Sequence, residues 1–139
     1  MRRLVLDASV ALAWFIDHPV PRQASQARDL LLERGLAVVP ALWHLEMANG
    51  FAMAERRRIL SPSAVDECLI KLSQLLAHRI ETDTTSVSIR EALTTARSFH
   101  LSAYDAVYLD TARNHGLPLA TLDRDLRAAA IKAGIEVGG

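Results

Sequence analysis

Four acids stand where carboxylates can act together: Asp7, Glu46, Asp105 and Asp123. Asp7 ends the apolar run Leu4-Val5-Leu6, and Asp123 follows Leu119-Ala120-Thr121 by two residues. Both therefore fall just past short buried strands. Glu46 shares a helical face with Leu42, Asn49 and Met53, so it interrupts an apolar stripe. A carboxylate buried there needs a partner or a cation. Asp105 sits in Tyr104-Asp105-Ala106-Val107-Tyr108-Leu109, with apolar residues on almost every side. Carboxylates brought close repel one another and raise each other's pKa. A divalent cation relieves that conflict, and ligands of oxygen alone suit Mg²⁺ or Mn²⁺ better than zinc. Such a site suits phosphoryl chemistry, with one ion activating water and another about 3.5–4 Å away stabilising the departing oxygen.

Singly, the acids have structural readings too. Asp7 can cap a helix beginning at Ala8, and Asp123 one beginning at Arg124. Ser102 and Asp105 have capping-box spacing. Glu46 can reach water if its stripe lies at the margin of the core. The histidines at 18, 44, 78, 100 and 115 are scattered without metal-ligand spacing, and read as surface or core residues.

The elements that must position these acids alternate between strand and helix. Strands are expected at Leu4–Leu6, Leu36–Val39, Arg79–Glu81, Leu119–Thr121 and Ile135–Val137. Helices are expected from Ala8 to Phe15, Gln23 to Arg34, Leu42 to Arg58, Ser61 to Ala77, Thr84 to Phe99, Ser102 to Asn114 and Asp123 to Ala133. Gly35 and Gly116 read as helix stops, and Pro62 as a first-turn proline. The alternation predicts an α/β fold, a parallel sheet of about four to five strands flanked by about seven helices. Right-handed crossovers put the strand C-termini on one edge, where ligands bind.

The 139 residues fit a single domain, 1–139, with half the residues hydrophobic and 23% charged. Sixteen basic and sixteen acidic residues cancel, so no strong global field pulls the chain onto nucleic acid. All the basic residues but Lys71 and Lys132 are Arg, which suits bidentate phosphate contact and equally reflects genome composition. Cys68 lies among Val65, Leu69 and Leu72 and reads as a core thiol. Arg2-Arg3 followed by Leu4–Ile16 imitates a signal peptide, but Asp7 falls inside its apolar stretch and no small-residue cleavage site follows. No run is long enough to span a membrane, so a cytoplasmic protein is expected.

The stretches VLDASV, PALWHLEMANGF and LSAYDAVYLDTARNHGLPLATLDRDLRAAA resemble the PIN-domain nucleases, and among them the VapC-type toxins of bacterial toxin–antitoxin pairs. The resemblance runs from Leu4 to Val137. It implies a three-layer α/β/α sandwich around a short parallel sheet. It places the acidic quartet on Asp7, Glu46, Asp105 and Asp123, as catalytic residues and metal ligands. Ser9, Asn49, Tyr104 and Thr121 fall on supporting positions, and Asp125 on a further acid that some members use. It further implies Mg²⁺- or Mn²⁺-dependent cleavage of RNA, an antitoxin whose tail fills the active-site groove, and a homodimer.

Arg124 and Arg127, just after Asp123, are candidates for holding the RNA backbone or an antitoxin. Arg113 is a more distant one, and Arg56-Arg57-Arg58 fits a helix C-terminus as well as phosphate. Trp14, Phe15 and Trp43 are candidates for a partner groove or for the core. RNA binding by a neutral chain should be modest and salt-sensitive. Three other functions compete. A phospho-accepting signalling domain needs paired acids after the first strand and a lysine at a late strand end, whereas position 8 is Ala. A phosphatase with a nucleophilic Asp wants a second Asp where Ser9 stands. A non-catalytic RNA-binding scaffold has no reason to gather four repelling acids.

Overall fold

The computed structural model describes residues 2–138. Four short strands, β1 (Arg3–Leu6), β2 (Leu36–Pro40), β3 (Ile80–Asp83) and β4 (Leu119–Ala120), form one sheet. All pair in parallel, in the order β3-β2-β1-β4. Seven helices connect and follow them: α1 (Ala8–Ile16), α2 (Arg22–Leu32), α3 (Leu42–Arg56), α4 (Pro62–His78), α5 (Ile89–Phe99), α6 (Ala103–His115) and α7 (Arg124–Lys132). Leu4, Val5 and Leu6 are buried without alternation, as a central parallel strand requires.

From β1 the chain steps outward to β2 and β3 through α1 to α4. It then returns through α5 and α6 to pair β4 with the other side of β1. Right-handed crossovers of opposite direction cover opposite faces, which gives the three α/β/α layers. The reversal lies between β1 and β4, so the crevice beyond the ends of these two strands is the expected ligand site.

Several boundaries differ from the sequence expectation, each for a local reason. Residues 84–88 form a loop before α5, because Asp83 Oδ1 accepts from Thr85 N at 2.9 Å and Ser88 Oγ caps the helix through Glu91 N at 3.2 Å. Ile135–Val137 gives a single bridge to Leu119 rather than a strand. Helix α2 ends before Gly35, and Arg34 takes the left-handed conformation, at φ 85°. Gly35 is still required, since a Cβ there would meet the Leu30 carbonyl oxygen at 2.6 Å.

Helix α3 buries Trp43, Met47, Phe51 and Ala54. Its inward stripe is therefore one position off the one read from sequence. Leu42, Glu46 and Met53 are half-buried and Asn49 is exposed. Trp43 is wholly enclosed in the core, not in a groove. Cys68 packs half-buried against the core, and burial raises its thiol pKa.

Candidate active site

Asp7 leaves β1 in extended conformation, with its amide bonded to the Ala120 carbonyl at 2.9 Å. It occupies the N-cap position of α1, yet its side chain makes no capping bond. Ser9 Oγ and Thr121 Oγ1 each donate to its Oδ2 at 2.7 Å. The same hydroxyls accept backbone bonds from the loop after β4. Ser9 Oγ takes Leu122 N at 3.0 Å, and Thr121 Oγ1 takes Asp123 N at 3.0 Å. Two hydroxyls thus tie the ends of β1 and β4 together around one carboxylate. Thr121 is 1% exposed, so it faces this network and nothing else.

Asp123 does cap α7, its Oδ2 accepting from Leu126 N at 3.3 Å. Asp105 realises half of the capping box. Its amide is bonded by Ser102 Oγ at 3.1 Å, but its carboxyl shares a hydrogen bond with that of Asp123 instead of reaching back to the cap. Glu46 comes from one turn inside α3, and its Oε1 accepts from the Tyr108 hydroxyl at 2.6 Å. Tyr108 is fully buried, one turn after Asp105 on α6.

Burial and mutual charge act together on these acids. Desolvation pushes Asp105 up to about 7, followed by the charge of Asp123, their shared hydrogen bond, and the charges of Asp7 and Glu46. Burial raises Asp7, the hydroxyls of Thr121 and Ser9 hold it down in part, and Asp123 adds to the rise. Glu46 is raised by burial, lowered by Tyr108 and raised again by Asp7. Burial and Glu46 keep the Tyr108 phenol protonated far above neutral pH.

The donor set fits a hard divalent cation in kind: four carboxylates, with Asp7, Glu46 and Asp105 each raised by burial and by the charge of a neighbouring acid. In arrangement it is open. Among the described residues, no three His, Cys, Asp or Glu side chains converge as a closed metal group. That suits Mg²⁺ better than a structural ion, since Mg²⁺ keeps several waters and commonly takes only one or two carboxylates.

The remaining expected residues fall at varied distances from this cluster. Asp125 is exposed in the first turn of α7. Tyr104 is 67% exposed, and Asn49 is exposed on α3. Arg124 is exposed, while Arg127 is half-buried with a shielded Nη1 that has no hydrogen-bond partner. Arg113 stacks over Phe99 at 5.6 Å. Asp110 is buried and accepts from Thr95 Oγ1, pinning α5 to α6. His115 pairs with Asp83 at 2.9 Å, and His44 with Thr82 at 2.8 Å. Trp14 and Phe15 line a groove of about 490 Å³ with Leu32 and Leu75, rimmed by Arg28, Lys71, His78 and Arg79. Sequence reading singled out Tyr104 and missed Tyr108. The available signal was spacing: position 108 shares the face of Asp105, and position 104 does not.

Among the described residues, no helix is long and apolar enough to cross a membrane. No curated protein matches the chain significantly. Two solved structures resemble it at a TM-score of 0.66. PAE2754 from Pyrobaculum aerophilum is 25% identical, with 93% of this chain and 79% of that one covered. FitAcB from Neisseria gonorrhoeae is 21% identical, with 98% and 96% covered, and supports the fold alone. The family model described as PIN domain matches residues 4–132, a span that holds all four acids. With the sheet order, the β1/β4 crevice and that match in agreement, the chain belongs to the PIN-domain family.

Proposed function

We propose that this chain is a single-domain, Mg²⁺- or Mn²⁺-dependent endoribonuclease that acts in the cytoplasm as the toxin of a toxin–antitoxin pair. One observation carries the nuclease reading: the other three acids, Asp123, Asp7 and Glu46, each raise Asp105, so four carboxylates from separate elements lie near one another at the β1/β4 crevice. Stability alone gives no reason to gather them. The toxin role, the antitoxin partner and the homodimer rest on the resemblance of the motifs to VapC-type toxins.

Asp7, Glu46, Asp105 and Asp123 would hold the cation. Bound there, it supplies Lewis-acid polarisation of the phosphodiester and a water of lowered pKa. The chain's own part is orientation and charge. Ser9 and Thr121 both bind Oδ2 of Asp7, which fixes that carboxylate and leaves Oδ1 for a ligand. Tyr108 does the same for Glu46 through Oε1. Burial and the neighbouring acids push Asp105 up to about 7, so a proton would compete with a cation for that carboxyl near neutral pH. Arg124, exposed beside Asp123 at the start of α7, and Arg127, half-buried one turn on, are the cations nearest in sequence to the cluster that could meet an RNA phosphate.

The phospho-accepting alternative lacks its lysine, since Lys71 and Lys132 are exposed on α4 and α7, not at a strand end. The scaffold alternative is separated by experiment. Purified protein should cleave RNA with Mg²⁺ or Mn²⁺ and stop on addition of a chelator. Asp7→Asn should lose at least about a hundredfold in rate, more than the loss of a single outer-shell partner typically costs. Cleavage that survives both changes would sink the proposal.

A further inference from the structure

The Tyr108 hydroxyl links its own helix to two other segments that carry acids. It sits on α6, one turn after Asp105. It accepts from the amide of Ala8, the residue after Asp7, at 3.4 Å. It donates to Glu46 Oε1 at 2.6 Å. The direction of the proton follows from the partners. A backbone N–H can only donate, so Ala8 occupies the acceptor side of the hydroxyl and its proton points to Glu46. The Ala8 amide is a first-turn helix donor with no partner inside α1, so this bond has a structural use of its own.

Glu46 needs such an anchor. Its side chain is long and flexible, it stands half-buried at the margin of α3, and the charge of Asp7 opposes it. Released, it relaxes toward water, away from the other acids. We infer that Tyr108 is a positioning residue whose hydroxyl holds Glu46 in the acidic cluster, and so sets the site's affinity for a divalent cation and not its affinity for RNA. The inference rests on the cation site proposed above, and on the nuclease reading for its kinetic consequence.

The test uses the full chain with Mn²⁺ alone as the probe. Tyr108→Phe keeps the ring and removes the hydroxyl. Calorimetric titration should show Mn²⁺ affinity about 10- to 100-fold weaker than in the parent, the usual cost of losing an outer-shell partner. On RNA, kcat should fall while KM changes less than about twofold, because the RNA contacts are untouched. In Glu46→Gln, adding Tyr108→Phe should change Mn²⁺ affinity little, since the tyrosine acts through Glu46. Mn²⁺ affinity within about twofold of the parent in Tyr108→Phe, or an additive double variant, overturns the inference. If Tyr108→Phe does not fold, Glu46→Asp serves. It keeps the charge but withdraws it from the hydroxyl, and should weaken Mn²⁺ by a similar factor. Unchanged affinity there overturns the inference as well. A parent that binds Mn²⁺ yet cleaves no RNA overturns the nuclease reading and leaves the Mn²⁺ comparison decisive for Tyr108. A parent that binds no Mn²⁺ overturns both.

Discussion

Thr121 shows how one buried hydroxyl can serve two acids. It donates to Asp7 Oδ2 and accepts from the Asp123 amide, with almost no exposure. Thr121→Val preserves shape and removes both bonds. It leaves the Asp123 amide without that partner and deprives Asp7 of the hydroxyl that most lowers its pKa. The expected cost is about 1–3 kcal/mol in urea unfolding, the penalty for stranding buried polar groups. RNA cleavage near neutral pH should fall too, since a more basic Asp7 yields less readily to a cation. A change in stability below about 0.5 kcal/mol would contradict this account. At this scale the acids were legible in the sequence because strand ends and apolar surroundings mark them. Their capping alternatives were half right: Asp123 does cap a helix, Asp105 receives a cap without returning it, and Asp7 caps nothing. Tyr108 was illegible because an apolar ring on a buried face reads as core. Its hydroxyl acquires meaning from partners distant in sequence, Ala8 and Glu46, the latter 62 residues away.

At the scale of elements, the site depends on how closely α1 approaches α3. The two helices carry the chain away from Asp7 and hold Glu46. Gly50, one turn after Glu46, allows the approach: Leu12 of α1 occupies the space a Cβ would fill. Gly50→Val should therefore push Leu12 aside and cost about 1–3 kcal/mol, as overpacking does, despite a small gain in helix propensity. The cause is checked by a double-mutant cycle. Leu12→Ala should cost less stability in Gly50→Val than in the parent, and equal costs would show that the clash is not with Leu12. The order of strands and helices was readable from alternation alone, because parallel strands need helical crossovers. The rotation of α3 was not. Leu42, Glu46, Asn49 and Met53 and the neighbouring set Trp43, Met47, Phe51 and Ala54 both look amphipathic, and packing against α1 and α4 selected the second. That shift places Glu46 at the edge of the core rather than inside it, where a tyrosine can reach it and a ligand can still approach.

For the whole molecule, balanced formal charge conceals an internal imbalance. Acidic and basic residues are equal in number, yet one crevice gathers acids whose pKa values rise through burial and the charge of their acidic neighbours. Asp105, near 7 in the folded chain against an ordinary 3.8, binds its proton more tightly folded than unfolded. Its contribution to stability is complete below the ordinary value and is lost as pH rises through about 7. Asp7 and Glu46 shift in the same direction and steepen the loss. In a chelator, the melting temperature should fall by about 3 °C or more between about pH 5 and about pH 8. Asp105→Asn should remove much of that slope. Mn²⁺ should act oppositely. Protons compete with the cation for the same oxygens, so its stabilisation should be small near pH 5 and grow as Asp105 deprotonates. Melts over that pH range, with chelator and with excess Mn²⁺, should therefore diverge on the alkaline side. Curves that run parallel would mean that the acids which repel one another are not the ones that receive the metal.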